Sequence, residues 1–467
     1  MKRLATLLLL MGTMAPSYAQ TNPSLNTYSV GNTTVTLSAL TTGLDTPWEL
    51  LWGPDNFLWM TERAGRISRI NPTTGQVLPL LTVADVTEVG ESGLLGMALH
   101  PDFTASPYVY IVYNYTEAGG ALKEKLVRYT YSAVNGTLDS PQILLDNITA
   151  ANTHSGSRLL ILPDRTLLMT TGDAERGSES QNPASLNGKI LRLNLDGTIP
   201  ANNPTPNSPV YTLGHRNPQG LTRAPSGQIY SAEHGEAIDD EVNLIEEGRN
   251  YGWPNVEGPC NLPAEQAFCA ANNVLEPLTS YTPTLGVSSL AFYTHPAIPE
   301  WNNSLLLLSL KARTLTNLKL NATGNQIASQ SDIWNGTYGR LRAICVSPQG
   351  RVYIGTSNRD GRGNPAATDD RILVLENRAY IPSAVVNSQS AALAIWPNPA
   401  KHTITVRLPA PATTSLVIRD ALGRTARTVA INGQQETTVD VQQLPTGLYM
   451  VQAQLGNTQY TRRLVVE

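Results

Sequence analysis

The chain has 467 residues, enough for one large domain and one small one, and it contains 36 Gly and 32 Pro. With 41% hydrophobic and 15% charged residues, the composition favours an all-β protein with many turns over a helical bundle. The net charge of −4 excludes the strongly basic surface of nucleic-acid-binding proteins, so we expect no nucleic-acid partner.

Residues 1–19 have the pattern of a signal peptide. Lys2 and Arg3 precede an apolar run at 4–14, and Ser17-Tyr18-Ala19 forms a small-x-small cleavage site. The apolar run is too short to cross a bilayer, and no later segment has about 18 uninterrupted apolar residues, so we expect no transmembrane segment. The pattern predicts an exported protein; an amphipathic structural helix is the alternative.

A turn with proline, followed by a run of strand-forming residues, recurs six times along residues 25–378. The prolines are Pro54, Pro101, Pro163, Pro225, Pro299 and Pro348. Regular β repeats of roughly 40–50 residues are typical of propeller blades, each a four-stranded sheet. The longer intervals indicate loop insertions. The pattern therefore predicts a six-bladed β-propeller over residues 25–378.

The cysteines indicate that disulfides do not hold the main fold together, because the chain has only three of them. Cys260 and Cys269 lie in a polar loop and are close enough in sequence to form a local disulfide outside the cytoplasm. The sequence leaves open whether they do so. Cys345 lies in an apolar strand pattern and is expected to be a small buried hydrophobic residue.

The character of the chain changes after residue 378. Residues 379–391 lack charge and periodicity and are interpreted as a linker, whereas 392–467 contain short alternating strands that predict a small β-sandwich. The motifs WPNP, RDALGR and LPTGLY resemble the type A sorting domain of the type IX secretion system. The resemblance implies an export address that binds the secretion machinery; an accessory carbohydrate-binding sandwich is the alternative.

Loops from distant blades meet at one end of a propeller channel, so residues scattered in sequence could form one site. His154, in the polar segment NTHSG, is a candidate general base, although a loop histidine is more often merely exposed. The segment GHRNPQG offers Arg216 as a fixed cation and Asn217 as an amide, or forms a plain surface turn.

Two further segments complete the set of candidates. Five carboxylates and a glycine at 233–241 could supply calcium with hard oxygen ligands, or form a solvated acidic loop. Lys311, Arg340 and Arg342 form a cationic group, and the two arginines are expected on one face of a strand. Two arginines on one face repel each other unless an anion lies between them, so a charged cofactor, substrate or ion pair is expected there.

The propeller region resembles the glucose/sorbosone dehydrogenase family, which includes the soluble glucose and aldose sugar dehydrogenases that depend on pyrroloquinoline quinone (PQQ). The resemblance covers roughly residues 40–378, and its most specific segments are LLWGPDNFLWMTERAGRI, ESGLLGMALHPDF, NGKILRLNLDGTIPANNP, YTLGHRNPQGL and DDEVNLIEEGRNYGWPNVEG. It implies an oxidoreductase that uses PQQ and calcium to oxidise the C1 position of aldoses to lactones, by hydride transfer to the quinone. The electrons would pass to an external acceptor.

The same resemblance implies a role for each matching residue. His154 matches the catalytic base, and Arg216 and Asn217 match the pair beside the reactive carbonyl of the quinone. The cofactor-binding positions match Thr284, Lys311, Arg340 and Arg342. The positions at or around calcium match Gly235, Glu236, Asp240, Glu241 and Tyr251.

The chain departs from the family at the wall that contacts the sugar. Glu91 stands where the soluble glucose dehydrogenases have Gln, Thr153 replaces an Asp, and a pair of aromatics is reduced to a threonine-rich stretch around Tyr281. Glu91 and Tyr281 are therefore expected near the substrate, whose identity stays open. Two alternatives also stay open: a calcium-dependent lactone hydrolase, and a non-catalytic propeller that binds glycans or proteins.

Overall fold

The computed structural model of the chain describes residues 23–381, 393–408, 410–420, 423–455 and 458–467. The predicted signal peptide at 1–19 and most of the predicted linker at 379–391 lie outside these residues. The chain divides into two compact units, residues 1–379 and 380–467. Within the described ranges, no helix is long and apolar enough to cross a membrane.

The first unit is built from antiparallel sheets that follow one another along the chain. It opens with β1 (Ser24–Val30) and β2 (Thr33–Thr41), which belong to the last sheet of the unit. The next four-stranded sheet contains β3 (Pro47–Trp52), β4 (Leu58–Glu62), β5 (Arg66–Ile70) and β6 (Val77–Thr82). In it and in the four-stranded sheets that follow, each strand pairs with its neighbour in sequence.

Four more sheets have this order. The first consists of β7 (Leu94–Leu99), β8 (Tyr108–Thr116), β9 (Leu122–Ser132) and β10 (Thr137–Thr149). The second consists of β11 (Gly156–Ile161), β12 (Thr166–Thr171), β13 (Lys189–Asn194) and β14 (Val210–Leu213). The third consists of β15 (Pro218–Arg223), β16 (Ile229–Glu233), β17 (Asp240–Ile245) and β18 (Thr279–Tyr281). The fourth consists of β19 (Val287–Tyr293), β20 (Ser304–Ser309), β21 (Thr314–Leu320) and β22 (Ile327–Asn335).

The last sheet joins the two ends of the first unit. It has the order β1-β2-β25-β24-β23, with β23 (Leu341–Val346), β24 (Val352–Thr356) and β25 (Ile372–Glu376). One edge strand of each sheet, here called its first strand, contacts the first strands of the two neighbouring sheets. These six strands are β3, β7, β11, β15, β19 and β23, and β23 lies beside β3 again. The six first strands therefore form a closed ring around a common centre.

The hydrophobic core of the first unit lies between neighbouring sheets rather than at the centre of the ring. Trp59 of β4, for example, makes edge contacts with Phe103 and with Tyr131 of β9, at centroid distances of 5.5 and 5.2 Å. Such aromatic pairs add to the free energy gained from the buried area alone. This packing joins each sheet to its neighbours around the ring.

One element contradicts the sequence analysis. The segment that carries Cys260 and Cys269, predicted as a polar loop, forms the helix α1 (Pro263–Asn272), which includes Cys269. Its first position is a proline, and the carboxylate of Glu265 accepts the backbone N–H of Leu262 at 2.9 Å, both of which favour a helix start. None of its residues is buried, so the apolar stripe that would predict a helix is missing.

The three cysteines have definite states in the structure. Cys260 and Cys269 form a disulfide across α1, which decides the question that the sequence left open. Cys345 is buried and free, as the sequence predicted. Two short 3-10 turns, at Gly177–Ser180 and Pro299–Trp301, are the other helical elements of the described residues.

The second unit consists of two antiparallel sheets. One has the order β26-β27-β30 and the other the order β29-β28-β31-β32. The strands are β26 (Ala394–Trp396), β27 (Thr403–Arg407), β28 (Thr413–Asp420), β29 (Thr425–Asn432), β30 (Glu436–Asp440), β31 (Gly447–Leu455) and β32 (Thr458–Val466). Alternate residues of both sheets, such as Ile404, Leu416 and Val451, belong to one buried cluster.

The contribution of β2 to joining the two ends of the first unit can be tested by substitution. We expect Leu37→Ala, at a fully buried position between β1 and β25, to lower the free energy of unfolding by about 2–5 kcal/mol. The matched substitution Leu25→Ala, at an exposed position of β1, should change it by no more than about 0.5 kcal/mol. Urea unfolding of both variants measures this; equal losses would contradict a closure that depends on β2.

Candidate active site

A polar cavity of about 450 Å³ lies at the end of the ring where the first strands begin. The loops that precede β7, β11, β15, β19 and β23 all contribute to its wall. Ten of the residues that the sequence singled out line it: Glu91, His154, Arg216, Gly235, Glu236, Asp240, Thr284, Lys311, Arg340 and Arg342. The ring thus brings together residues that are up to about 250 positions apart in sequence.

His154 is held in place by a carboxylate that the sequence analysis missed. Its Nδ1 lies 2.8 Å from Oδ1 of Asp173. Asp173 Oδ1 also accepts the Glu175 N–H at 2.9 Å, and Oδ2 accepts the indole N–H of Trp253 at 2.8 Å. Because an ionised carboxylate only accepts hydrogen bonds, this contact places the imidazole proton on Nδ1 and leaves Nε2 as an acceptor.

The backbone around His154 requires a close approach of two loops. A Cβ on Gly172, directly after β12, would lie 1.8 Å from the carbonyl oxygen of His154, so only glycine fits there. Asn217 supports the same loop from behind, since its Oδ1 accepts the Gly156 N–H at 3.1 Å. Asp173 follows Gly172 immediately, so a carboxylate directly after a buried strand was the signal available in the sequence.

Arg216 lies over the indole of Trp253, with 5.2 Å between the guanidinium carbon and the ring centroid. Trp253 therefore contacts both Arg216 and, through its N–H, the carboxylate of Asp173. Within the described residues, the buried Nε of Arg216 and Nδ2 of Asn217 have no hydrogen-bond partner. Unpaired buried donors are costly, so these two groups indicate a site for an acceptor group.

The predicted anion between Arg340 and Arg342 is present, and it belongs to the protein. Oδ2 of Asp360 accepts a hydrogen bond from Arg340 Nε at 2.7 Å and lies 3.4 Å from an outer nitrogen of Arg342. Burial favours the neutral acid, but Arg342 and Arg340 outweigh it and hold the pKa of Asp360 below its usual range. The sequence analysis missed Asp360.

Lys311 and Arg342 also belong to the positive wall of the cavity. Lys311 donates from Nζ to the Thr284 hydroxyl at 2.9 Å. Burial lowers the pKa of Arg342 to about 10, a value at which its guanidinium stays charged at neutral pH. Asp360 neutralises one of the three predicted cations, so the cavity keeps a positive excess on this side.

Glu91, which also lines the cavity, forms an ion pair that the sequence analysis did not foresee. Its Oε1 lies 2.8 Å from Arg362, and its Oε2 accepts the His154 backbone N–H at 3.4 Å. Burial would raise the pKa of Glu91, but the basic side chains around it outweigh that effect and lower it. Glu91 is thus a charged acceptor directly beside His154.

The acidic segment turns back on itself next to the cavity. Asp240 accepts the backbone N–H of Gly235 through Oδ1, at 3.0 Å, and those of Gly286 and Val287 through Oδ2. A Cβ on Gly235 would lie 1.8 Å from the Ile238 carbonyl oxygen, so glycine is required at this turn. The Asp240 carboxylate therefore ties the segment to the start of β19.

Four predicted residues are not part of the cavity wall: Asn217, Glu241, Tyr251 and Tyr281. Glu241 is buried behind it, where Asn243 donates to both Glu241 and Glu233. Burial and the neighbouring Glu233 raise the pKa of Glu241 well above its usual range. Tyr251 stacks on His215, and its hydroxyl donates to the Leu244 carbonyl at 2.7 Å, so that hydroxyl already has a partner.

Tyr281 is not among the residues that line the cavity, although it pairs with Asp240, which does. It closes β18, and its hydroxyl donates to Gln330 of β22 at 3.0 Å. Its ring packs against the hydrophobic core between the β15–β18 sheet and the β19–β22 sheet, a cluster that includes Leu305 and Leu318. Its expected contact with the substrate therefore stays a prediction.

The described residues do not contain a cluster of three or more His, Cys, Asp or Glu side chains placed to hold a metal ion. A metal in this cavity would need other ligands besides these side chains, such as backbone carbonyl oxygens. The carbonyls of Gly235 and Glu236 meet that need, because no hydrogen-bond donor from the described residues occupies either one. Carbonyl and carboxylate oxygens are the ligands that calcium prefers.

Comparisons with known proteins match both units. A family model described as glucose/sorbosone dehydrogenase matches residues 44–373, and one described as a secretion system C-terminal sorting domain matches residues 394–467. Quinoprotein glucose dehydrogenase B of Acinetobacter calcoaceticus is 34% identical over 420 residues, covering 72% of this chain and 87% of that protein.

Solved structures agree with these matches. The PQQ-bound form of aldose sugar dehydrogenase from Streptomyces coelicolor has 32% identity and a TM-score of 0.66, covering 73% of this chain and 98% of that one. An oxidoreductase from Thermus thermophilus, described as a putative glucose dehydrogenase, has 38% identity and a TM-score of 0.64, covering 73% and 99%.

The role of Asp360 as counter-ion can be tested by Asp360→Asn. We expect a loss of about 3–5 kcal/mol in the free energy of unfolding at pH 7, because two buried guanidinium groups lose their anion. The matched substitution Asp164→Asn removes a half-exposed partner of Arg192 and should cost less than about 1 kcal/mol.

The stabilisation that Asp360 provides should depend on pH in a definite direction. A carboxylate whose pKa is lowered on folding stabilises the protein fully above its unfolded pKa, about 3.9, and loses that effect as the pH falls through the folded value. The difference between wild type and Asp360→Asn should therefore be constant near neutrality and shrink at strongly acidic pH. A difference that grows on acidification would contradict the ion pair.

Proposed function

This chain belongs to the glucose/sorbosone dehydrogenase family, and we propose that it oxidises aldose sugars at C1 to lactones with PQQ and calcium. The electrons then pass to an external acceptor. The observation that carries this proposal is the hydrogen bond between His154, the candidate base, and Asp173, at the edge of a cavity with a positive wall. Its relatives include quinoprotein and aldose sugar dehydrogenases.

The residues of the cavity fit PQQ, which is a tricarboxylate. Lys311, Arg340 and Arg342 would hold its carboxylates, with Thr284 fixing Lys311. The unpaired donors of Arg216 and Asn217 would meet its carbonyl oxygens. A cavity of about 450 Å³ is large enough for a fused three-ring molecule together with a sugar ring.

The same segment fits calcium at two places. The free carbonyl oxygens of Gly235 and Glu236 would bind a calcium ion at the cofactor. A second, structural calcium would lie near Asp240, Glu241 and Tyr251, beside a small cavity of about 10 Å³ that Glu241 and Tyr251 line. A cation there would offset the burial and the repulsion from Glu233 that raise the pKa of Glu241.

When bound, PQQ supplies an electron-accepting quinone and calcium supplies a Lewis acid. The protein supplies the base: Nε2 of His154 takes the proton of the anomeric hydroxyl, while Asp173 stabilises the imidazolium that forms. Arg216, held on Trp253, neutralises negative charge that develops at its side of the cavity. Glu91 accepts a hydrogen bond from a sugar hydroxyl beside the base.

The two units have separate roles in this proposal. The closed ring of first strands supports a six-bladed propeller over residues 25–378, and the shared core of the two C-terminal sheets supports a β-sandwich over 392–467. The C-terminal unit is a secretion-system sorting domain, and we propose that it directs the chain to the type IX machinery. The signal peptide at 1–19 and the linker at 379–391 stay predictions.

Reconstitution tests the function directly. PQQ and calcium are added to the purified apo-protein, and dye reduction is followed with a panel of aldoses. We expect turnover that requires PQQ and an aldose, and that a calcium chelator abolishes. Calcium-dependent lactone hydrolysis without PQQ would support the hydrolase instead, and sugar binding without turnover would support the non-catalytic alternative.

The base is tested by His154→Ala. We expect kcat to fall by about 10²–10⁴-fold, because proton transfer from the sugar loses its acceptor, while PQQ affinity changes little. His100→Ala, a histidine outside the cavity wall, serves as the control. Near-normal kcat in His154→Ala would remove His154 from the role of base.

The cationic wall is tested by Arg340→Ala. Loss of a buried charged donor should weaken PQQ binding at least tenfold, as measured by titration of the apo-protein. Arg351→Ala, which removes a half-exposed ion pair with Glu376, should leave PQQ binding unchanged. Equal PQQ affinity in both variants would refute the proposed carboxylate contacts.

A further inference from the structure

A second cavity, of about 550 Å³, lies at the other end of the ring, where the first strands finish. All six first strands contribute to its wall. The wall is mostly apolar, with Met97, Leu159, Leu290 and Ile344 among the residues that line it. None of these residues takes part in the proposed oxidation, so the cavity is distinct from the active site.

The polar groups of this cavity are a buried ion pair. An outer nitrogen of Arg158 lies 2.6 Å from Oε1 of Glu49, and each side chain is only 4% exposed. Arg158 also lies on the ring of Trp48, with its guanidinium carbon 4.2 Å from the centroid. Both members of the pair line the cavity.

The ion pair leaves hydrogen-bonding capacity unused. Among the described residues, Oε2 of Glu49 and the other outer nitrogen of Arg158, Nη2, have no hydrogen-bond partner. A buried polar atom without a partner costs about 1–3 kcal/mol, more where the group is charged. An acceptor and a donor are therefore available side by side in an apolar cavity.

A hydrogen-bonded chain separates this ion pair from the active site. Arg342 donates to the side-chain oxygen of Gln219 at 3.2 Å, and Arg158 donates from Nε to the backbone carbonyl of Gln219 at 2.7 Å. The two cavities therefore share one wall and do not merge.

These features define the chemistry of a ligand. The charges of Glu49 and Arg158 already balance each other, so an ionic ligand would bring an unpaired charge into an apolar cavity. We propose that the cavity binds a neutral molecule with an apolar body and a head that both donates and accepts, a primary carboxamide being the best match. Its N–H donates to Glu49 and its carbonyl accepts from Arg158.

The charge selectivity is tested with two probes of equal shape, p-toluamide and p-toluate. Calorimetric titration of the full-length protein should give one site for p-toluamide and at least tenfold weaker binding of p-toluate. Binding of p-toluate with equal or higher affinity, or no saturable binding of p-toluamide, would overturn the proposal.

Variants assign the binding to this cavity. Ala291→Trp, at a half-buried lining position away from the ion pair, should fill the cavity and abolish p-toluamide binding. Glu49→Gln should weaken p-toluamide at least tenfold and reduce its preference over p-toluate, whereas Glu247→Gln, at an exposed position, should change neither.

The thermal unfolding midpoint of Ala291→Trp verifies that the variant is folded. Unchanged p-toluamide binding in that folded variant would place the ligand elsewhere and refute the proposal. The titration needs neither PQQ nor turnover, so its outcome is independent of the proposed dehydrogenase activity.

Discussion

The pairing of β2 with β25 joins the beginning and the end of the first unit in a single sheet. This pairing ties together the two ends of the ring of first strands, and the loops that carry the candidate site precede five of those strands. The distance from His154 to Arg340 is therefore set by the whole ring and not by local sequence. Rigid sheets with polar loops at their ends are a common way to hold a site made of distant residues.

Crowding charged side chains at the centre of the ring has an electrostatic cost, and the protein offsets it by pairing. Asp360 lies between Arg340 and Arg342, Asp173 holds His154, and Glu49 neutralises Arg158. Each pair joins groups that are buried or nearly so, where an uncompensated charge would be strongly destabilising. What these pairs leave open is a positive excess on one side of the first cavity and unused hydrogen-bonding atoms in both.

The sequence predicted the strands and the loops better than it predicted the partners of individual side chains. Repeated turns at prolines reveal a β repeat, and His154, Arg216 and Arg342 stand out as polar groups in or beside strand-forming runs. Asp173, Asp360 and Arg362 were missed because their partners are chosen by distances between loops, which no local pattern contains. The helix α1 was missed for a different reason: it buries none of its residues, so hydrophobic periodicity gives no signal.

Gln219 forms hydrogen bonds with one arginine from each of the two cavities. Its side-chain oxygen accepts from Arg342 in the first cavity, while its backbone carbonyl accepts from Arg158 in the second. A shift of either arginine therefore has to be accommodated by β15, the strand to which Gln219 belongs. The two cavities are therefore separate in space, but the arginines that line them bind the same residue.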